Sequence, residues 1–530
     1  MTSSTRSIAK GVSVLGITGI VCKVIGVLYS IPLARILHDD GLGLFQTVYP
    51  TYNLFLTLSS AGLPVAVSRM VSHFLAKGDP RNAKRSFQIA LLMLVTIGSF
   101  FSIMMLVSNS LLVRLVGVEE AASGFNAIAP CVAIVCALSA FRGFIQGQQN
   151  MVPTAISQLI EQIGKVALSL PLAAIGMRTS IAAGATNALM GITLVEALAL
   201  TYMLILYLKR RKNFDAIPQT SAEPAVRKKT LAKRLIAISI PITVSACIIP
   251  LSSFIDSALM VNRMVQSGVE RSTATALYGI FSGMVIRLIN IPTALALAIS
   301  MSLVPAISAV KALEDREGIR RESDTGIRYA FLIGFPCSVG MSLLAKPIIS
   351  FFYLETLRPE RLEIAAQLLT FSAMTVVLFT VVQATSSILQ GLHKQRIPMY
   401  TMIAGVVCKI ILNYTLIGTP GINIHGGPIA SIVCYSVAMI PNLYFCCKYA
   451  DLPFNWRDWI LRPGLAALCM GVTVWAMRTF LPVNRLITIL EVIVGVAVFG
   501  AVALADHALT AEDLKVFTGR RGRGRRNVRK

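Results

Sequence analysis

The 530-residue sequence predicts an all-α integral membrane protein of about fourteen transmembrane helices, arranged as two pseudo-symmetric six-helix lobes plus two C-terminal helices. Three observations predict it. The chain is 55% hydrophobic and only 14% charged, where soluble domains carry about 25% charged residues; its mean hydropathy is +0.71. Apolar runs long enough to cross a bilayer, which takes roughly 20 residues per helix, recur from end to end. Short motifs of the first half return in the second at a nearly constant offset.

The first run, 10–37, reads KGVSVLGITGIVCKVIGVLYSIPLARIL, with Lys23 near its middle and Arg35 near its far end. A cation at the bilayer centre costs about 3 kcal/mol or more unless something compensates it, so a plain anchor would place leucine there. The run reads instead as a helix lining a polar interior. Gly26 and Pro32 agree, because weakened helices are tolerated where neighbours or a cavity satisfy the backbone. Runs at 44–75, 83–113, 122–147, 152–177 and 181–208 complete an N-terminal lobe, 1–208. The stretch 209–233, with Pro218, Ser221 and Pro224 among its basic residues, is the linker. Runs at 234–264, 274–309, 327–353, 364–391, 396–418 and 426–448 form the second lobe, 234–450. Two further runs, 459–481 and 484–507, lie within 451–510, and 511–530 is a basic tail.

Loop charges test this count. With Arg6 and Lys10 on the cytoplasmic side, connections after even-numbered runs should be basic. They carry Lys77, Arg81, Lys84 and Arg85; then Lys209 to Lys212; then Lys311, Arg316, Arg320 and Arg321. Lys394 and Arg396 follow, and then Lys448 and Arg457. Odd connections hold Asp39 and Asp40, Glu119 and Glu120, the 355–361 loop, and the nearly uncharged 419–425; only the thirteenth, with Arg478 and Arg485, runs against the rule. The pattern predicts a multi-pass bacterial plasma-membrane protein with both termini cytoplasmic, and the first run is too long for a cleavable signal. The net charge of +24 is thus spent on topology, and no nucleic-acid partner is expected. The tail, from Arg520 to Lys530, suits anionic lipid.

Leu63-Pro64-Val65-Ala66-Val67-Ser68 recurs as Leu303-Val304-Pro305-Ala306-Ile307-Ser308, 240 residues on. Ile145-Gln146-Gly147, Pro153 and Lys165 recur as Leu389-Gln390-Gly391, Pro398 and Lys409, 244 to 245 residues on. Each match is six runs apart. An even number preserves orientation, so the pseudo-axis runs along the membrane normal and a substrate path is expected between the halves. The ten cysteines lie in or beside apolar runs without a CxxC pair, and there is no Walker A, nucleophile elbow or HExxH. A transporter without catalytic residues, metal or cofactor is expected; a membrane enzyme would need a catalytic motif on a sizeable loop.

Ionisable residues inside the runs are costly, and each needs a reason. They are Lys23, Arg35, Glu161, Lys165, Glu196, Asp256, Arg287, Lys409 and Glu491, with Arg69 and Arg142 near run ends. Glu161 and Lys165, four apart, share a face and are expected to pair. Asp256 with Lys409 and Asn413 is a second candidate, across helices. Either pair can brace a lobe or take part in coupling. Arg142 reads as a gate or a loop anchor. Lys346 and Glu491 are placed to snorkel. Lys23 and Arg287, mid-span without an acid partner on their own helix, are the foremost substrate-binding candidates, followed by Arg35, Arg69 and Arg142. Such a cavity suits a pyrophosphate, whose oxygens accept charge-assisted hydrogen bonds, bidentate ones from Arg. It suits a cationic drug poorly.

Three segments, FRGFIQGQQNMVPTAISQLIEQ (141–162), RLINIPTALALAISMSLVPAIS (287–308) and ILQGLHKQRIPMYTMIAGVVCKIILN (388–413), closely resemble the SpoVB/YtgP group of polysaccharide transporters. That group includes the MurJ-type lipid II flippases of the MOP superfamily. The resemblance implies two six-helix lobes around a central cationic cavity, with two extra helices forming a groove for a lipid tail. It implies alternating-access export of an undecaprenyl-pyrophosphate-linked saccharide, foremost the peptidoglycan precursor lipid II. The alternatives are another lipid-linked oligosaccharide, such as an exopolysaccharide or spore-cortex precursor, and a cation-coupled multidrug antiporter. Lys23 and Arg287 fall at the family's cavity arginines, while Tyr29 and a position near Thr57 stand where Gram-negative members carry two more. Asp256 matches a sodium-site carboxylate of some relatives, but Lys409 and Asn413 face it from the other side of that site, so an ammonium stands where the cation would. A monomer is expected, with cell-wall synthases as candidate partners.

Overall fold

The computed structural model describes residues 3–221, 224–481 and 484–509, and the side chains of 3–17, 20, 23, 27 and 298 fall outside that description. The Lys23 side chain and the basic tail 511–530 therefore lie outside the described residues. Every regular element among the described residues is helical. The protein is a multi-pass membrane protein.

Among the described residues, thirteen helical stretches are long and apolar enough to cross a membrane. The first, Val24–Ala76, holds two of the expected fourteen runs, because α1 (Ser3–Ser60) and α2 (Leu63–Ala76) follow each other almost without interruption. His38 breaks α1 with φ +54, a left-handed conformation that turns the chain between the two runs. That corner separates the runs expected at 10–37 and 44–75, which lie within one continuous stretch.

The remaining elements follow in order. They are α3 (Pro80–Val107), α4 (Asn109–Val116), α5 (Ala121–Gly147), α6 (Val152–Gly164), α7 (Leu170–Met177), α8 (Ile181–Asp215) and α9 (Lys228–Gln266). Then come α10 (Arg271–Tyr278), α11 (Ile286–Ala312), α12 (Arg316–Leu343), α13 (Ala345–Tyr353), α14 (Pro359–Ser372) and α15 (Met374–Gly391). The last are α16 (Arg396–Ile417), α17 (Gly426–Ala450), α18 (Arg462–Phe480) and α19 (Arg485–Ala505). Two widened π turns interrupt the spans, Lys165–Ser169 between α6 and α7 and Gly279–Val285 between α10 and α11, and a third, Arg457–Leu461, leads into α18. Pro171, with no N–H to return to Ala167, accounts for the first.

Packing divides the chain into two compact units. One comprises Met1–Leu288, Glu355–Arg358 and Val406–Ala430. At its centre α5 packs against α1, α2, α3 and α8, burying Ala129, Cys131, Val132, Cys136 and Ala140. Lipid offers no hydrophobic drive for helix association, so small side chains that let backbones approach supply the packing. One such close approach joins α1 to α10 and the π turn after it. A Cβ on Gly43 would stand 2.2 Å from the Thr275 carbonyl oxygen, and one on Gly279 would stand 2.5 Å from the Gly43 nitrogen. Only glycine fits at either position.

The linker belongs to this unit as well. Its flanks continue α8 and α9, so among the described residues of the linker only 216–221 and 224–227 depart from helix, and these lie against the α2–α3 loop. Thr220 and Ser221 donate their backbone N–H groups to the Gly78 carbonyl at 3.0 and 3.1 Å. Gln219 donates to Asp79 at 3.1 Å, and the Val226 N–H donates to Asn82 at 3.0 Å. Gly78 takes φ +69 to make the turn.

The second unit comprises Ile289–Leu354, Pro359–Gly405 and Ser431–Lys530. Its core joins Leu303 and Ile307 of α11, Ile327 and Phe331 of α12, and Val377, Val381 and Ile388 of α15. Trp459 enters the same core fully buried, and its indole N–H donates to Asp324 at 2.8 Å. The C-terminal pair of spans packs on this core: Met470 and Val474 of α18 meet Leu344 at the end of α12, and Ala503 of α19 meets Leu332 and Ala466. Glu491, which its position suggested would snorkel, is buried at 3% exposure, with Arg478 of the adjacent α18 in electrostatic reach. Lys346 instead pairs with Glu363 at 2.8 Å, both half exposed.

Candidate functional site

The charges of the first unit assemble in two places. The first crosses α5, α6, α8 and the π turn after α6. Arg142 donates its Nε–H to Ser157 Oγ at 2.9 Å and its guanidinium pairs with Glu161. Lys165, the first residue of the π turn, approaches Glu196 Oε1 of α8 at 3.6 Å. The expected pairing of Glu161 with Lys165 is corrected here. Each takes a partner from a different helix, Arg142 for the acid and Glu196 for the base, because burial among three helices brings those groups closer than a helix surface does. Glu196 is 5% exposed, and its Oε2 has no hydrogen-bond partner among the described residues.

The same π turn serves a second contact. Ser169 Oγ donates to the Ala188 carbonyl at 2.8 Å and is hydrogen-bonded to the Tyr29 hydroxyl at 2.8 Å. Widening the helix by one residue thus aims Lys165 at α8 and Ser169 at α1 and α8 together. Tyr29 is buried, with Lys165 and Arg287 both within electrostatic reach. Thr57 only returns its hydroxyl to the Asn53 carbonyl at 2.7 Å, one turn back on its own helix.

Arg287 opens α11 directly after the second π turn and is half-buried. Among the described residues it forms no hydrogen bond and no ion pair. Lys23 lies on α1, with its side chain outside the described residues. Arg35 and Arg69 are exposed on α1 and α2.

The second assembly joins α9 to α16. Lys409 Nζ pairs with Asp256 Oδ2, and Asn413 donates its side-chain N–H to Asp256 Oδ1 at 2.7 Å. Both carboxylate oxygens therefore have a donor. With its ammonium in the site, the cluster is neutral, and the buried Asn413 Oδ1 beside it has no hydrogen-bond partner among the described residues. Among the described residues no group of three or more His, Cys, Asp or Glu is placed to hold a metal.

These arrangements contain no nucleophile beside a base and no carboxylate pair around an open cleft. They are charges held inside a helical bundle. The profile of the polysaccharide biosynthesis protein family matches residues 8–311, more than half of the chain. The chain belongs to that family. A MatE profile matches residues 241–415, so the signature of this polysaccharide biosynthesis family member overlaps that of a second transporter family. Among curated proteins it is similar to the lipid II flippase MurJ of Bacillus subtilis, at 25% identity across 94% of this chain and 95% of the relative. It is also similar to stage V sporulation protein B of the same organism, at 24% identity over 88% of each. Among solved structures, its fold matches the lipid II flippase MurJ in an inward closed conformation, with TM-score 0.70 and 14% identity, covering 92% of this chain and 97% of that one. It also matches an inward-facing multidrug resistance MATE transporter of the MOP superfamily, with TM-score 0.65 and 16% identity over 83% of this chain and 99% of that one. The family member thus has a MurJ- and MATE-like fold.

The partnership of Lys165 with Glu196 was hidden in the sequence. The two are 31 positions apart, and helical spacing reveals only neighbours three or four apart. The Tyr29 to Ser169 contact spans 140 positions. A proline two residues after a serine in an apolar run was the one available hint of the π turn.

Proposed function

We propose that this protein is a flippase that carries an undecaprenyl-pyrophosphate-linked glycan across the bacterial plasma membrane by alternating access. The foremost substrate is the peptidoglycan precursor lipid II. The observation that carries the reading is Arg287: a half-buried guanidinium on a spanning helix, with no acid partner among the described residues, in a chain aligned over 94% of its length with a lipid II flippase. A buried cation without a counter-ion is costly, and a diphosphate supplies the missing charge with bidentate geometry. Lys23, on α1, is the second cation of this pathway. Arg142, Lys165, Glu161 and Glu196 brace the helices around it, as do Asp256, Lys409 and Asn413.

Both termini and the basic loops are assigned to the cytoplasm. With that orientation an inside-negative potential favours export of a negative head group by about 2.3 kcal/mol per charge per 100 mV. Since Lys409 already occupies the Asp256 site, the reading gives the potential, rather than sodium at that site, the driving role. The match to stage V sporulation protein B supports a second reading, a flippase for a different lipid-linked glycan.

The test is lipid II exposure on the outer face of cells depleted of their own flippase, scored with a probe that acts only outside. Wild type should restore exposure, while Lys23→Gln and Arg287→Gln should not. If wild type reaches the membrane and fails, the lipid II assignment falls and the second reading takes its place. If both variants match wild type, the cationic pathway falls.

A further inference from the structure

The ends of α3, α5 and α8 line a shallow recess, open to solvent, beside the start of the linker. Its floor is aromatic. Phe144 lies 5.0 Å from Phe214 and 5.9 Å from Tyr207, centroid to centroid, and Phe87 stacks on Phe144 from below at 4.4 Å. Its rim is basic: Lys84 stands on one side, Arg210 and Arg211 on the other. One acid shares the rim. Asp215 pairs with Lys84 at 2.5 Å and with Arg211 at 3.7 Å, which ties α3 to α8. Arg210 is exposed and has no partner among the described residues. The lining groups therefore carry three positive charges against one negative.

The recess also has a fixed depth. It lies where the apolar span of α8 gives way to Lys209, Arg210, Arg211 and Lys212, at the water boundary of the bilayer. One turn before it, Leu204, Ile205 and Leu208 are exposed, as lipid-facing side chains are. An apolar floor under a basic rim does not suit a free anion, which needs polar contacts on all sides. It does suit a molecule whose phosphate stands directly above an apolar body. Basic pockets between helix ends at this depth are where acidic head groups dock, and arginine fits phosphate in bidentate fashion.

We propose that this recess binds the head group of an anionic phospholipid of the adjoining leaflet, with the phosphate held by Arg210 and Arg211 and the glycerol region on Phe144 and Tyr207. The site is separate from Arg287 and from both buried charge assemblies. It places a resident lipid against the hinge between α8 and the linker.

The test uses the full-length protein and native mass spectrometry, after equilibration with equal amounts of phosphatidylglycerol and phosphatidylcholine. Wild type should retain one phosphatidylglycerol in preference to phosphatidylcholine. Arg210→Gln/Arg211→Gln should reduce that retention about tenfold or more, the loss expected when charge-assisted hydrogen bonds go. Lys209→Gln/Lys212→Gln removes the same charge outside the recess and should leave it unchanged. Millimolar inorganic phosphate should not displace the lipid. Equal retention of both lipids, equal loss in the two double variants, or displacement by free phosphate would each overturn the proposal. Because the readout is lipid retention, it stands or falls independently of which glycan is carried.

Discussion

Lys409 of α16 closes on the Asp256 carboxylate of α9, and Asn413, one turn on, donates to its second oxygen at 2.7 Å. The residues are 153 positions apart in sequence, yet both lie in the first compact unit. A neutral cluster, with a donor on each carboxylate oxygen, stands where an isolated carboxylate would attract a cation.

Removing the ammonium should therefore be costly. Lys409→Gln leaves a buried, uncompensated carboxylate and should lower stability by about 3–5 kcal/mol, whereas a paired neutral replacement is often tolerated. Thermal unfolding in detergent should show a large drop for the single variant and recovery in Asp256→Asn/Lys409→Gln. In the single variant, sodium chloride should restore stability more than choline chloride. A silent Lys409→Gln would mean the pair is not what holds α9 to α16.

Arg287 offers a finer test of head-group recognition. Arg287→Lys keeps the charge but loses the planar two-donor fork. Export of the lipid-linked substrate should fall to a level between wild type and Arg287→Gln. If Lys serves as well as Arg, simple charge suffices and bidentate recognition is not used.

Gly43 has no room for a methyl group. The added Cβ would lie 2.2 Å from the Thr275 oxygen, so Gly43→Ala must push α1 and α10 apart. Overpacking of this kind costs about 1–3 kcal/mol, read as a lower unfolding midpoint. Gly464→Ala, where a Cβ meets nothing within 4 Å, is the control and should leave the midpoint unchanged.

The linker joint should respond to acid. Burial pushes the Asp79 carboxyl up, but hydrogen bonds from the Asn82 backbone and side chain and from Gln219 outweigh it and hold the group below its usual range. A depressed carboxyl contributes stability that is complete above its unfolded value, about 3.9, and is lost as pH falls through the folded one. Hydrogen exchange at the Thr220, Ser221 and Val226 amides should therefore stay protected near neutrality and open on acidification. Asp79→Ala should open them at neutral pH and cost about 1 kcal/mol as a lost helix cap. Protection that persists in Asp79→Ala would show that the linker is held by other contacts.

The sequence by itself determined the fold class, the succession of spans and the family, because each depends on local quantities. An apolar run of sufficient length must be helical in lipid, where every backbone group has to be satisfied within its own segment, and the motifs shared with the polysaccharide transporters are contiguous. It also singled out the costly residues, from Glu161 to Lys409, since a charge in an apolar run is conspicuous wherever it sits. Partners were a different matter. Glu161 and Lys165 share a helix face, and isolated-helix rules pair them, yet Arg142 and Glu196 claim them. Which charges meet depends on how α5, α6 and α8 rotate and approach one another, and that is set by small residues and by the π turn at Lys165. The aromatic recess beneath Arg210 and Arg211 was invisible for the same reason. Its floor and rim come from three helices, and only tertiary packing brings them to one place.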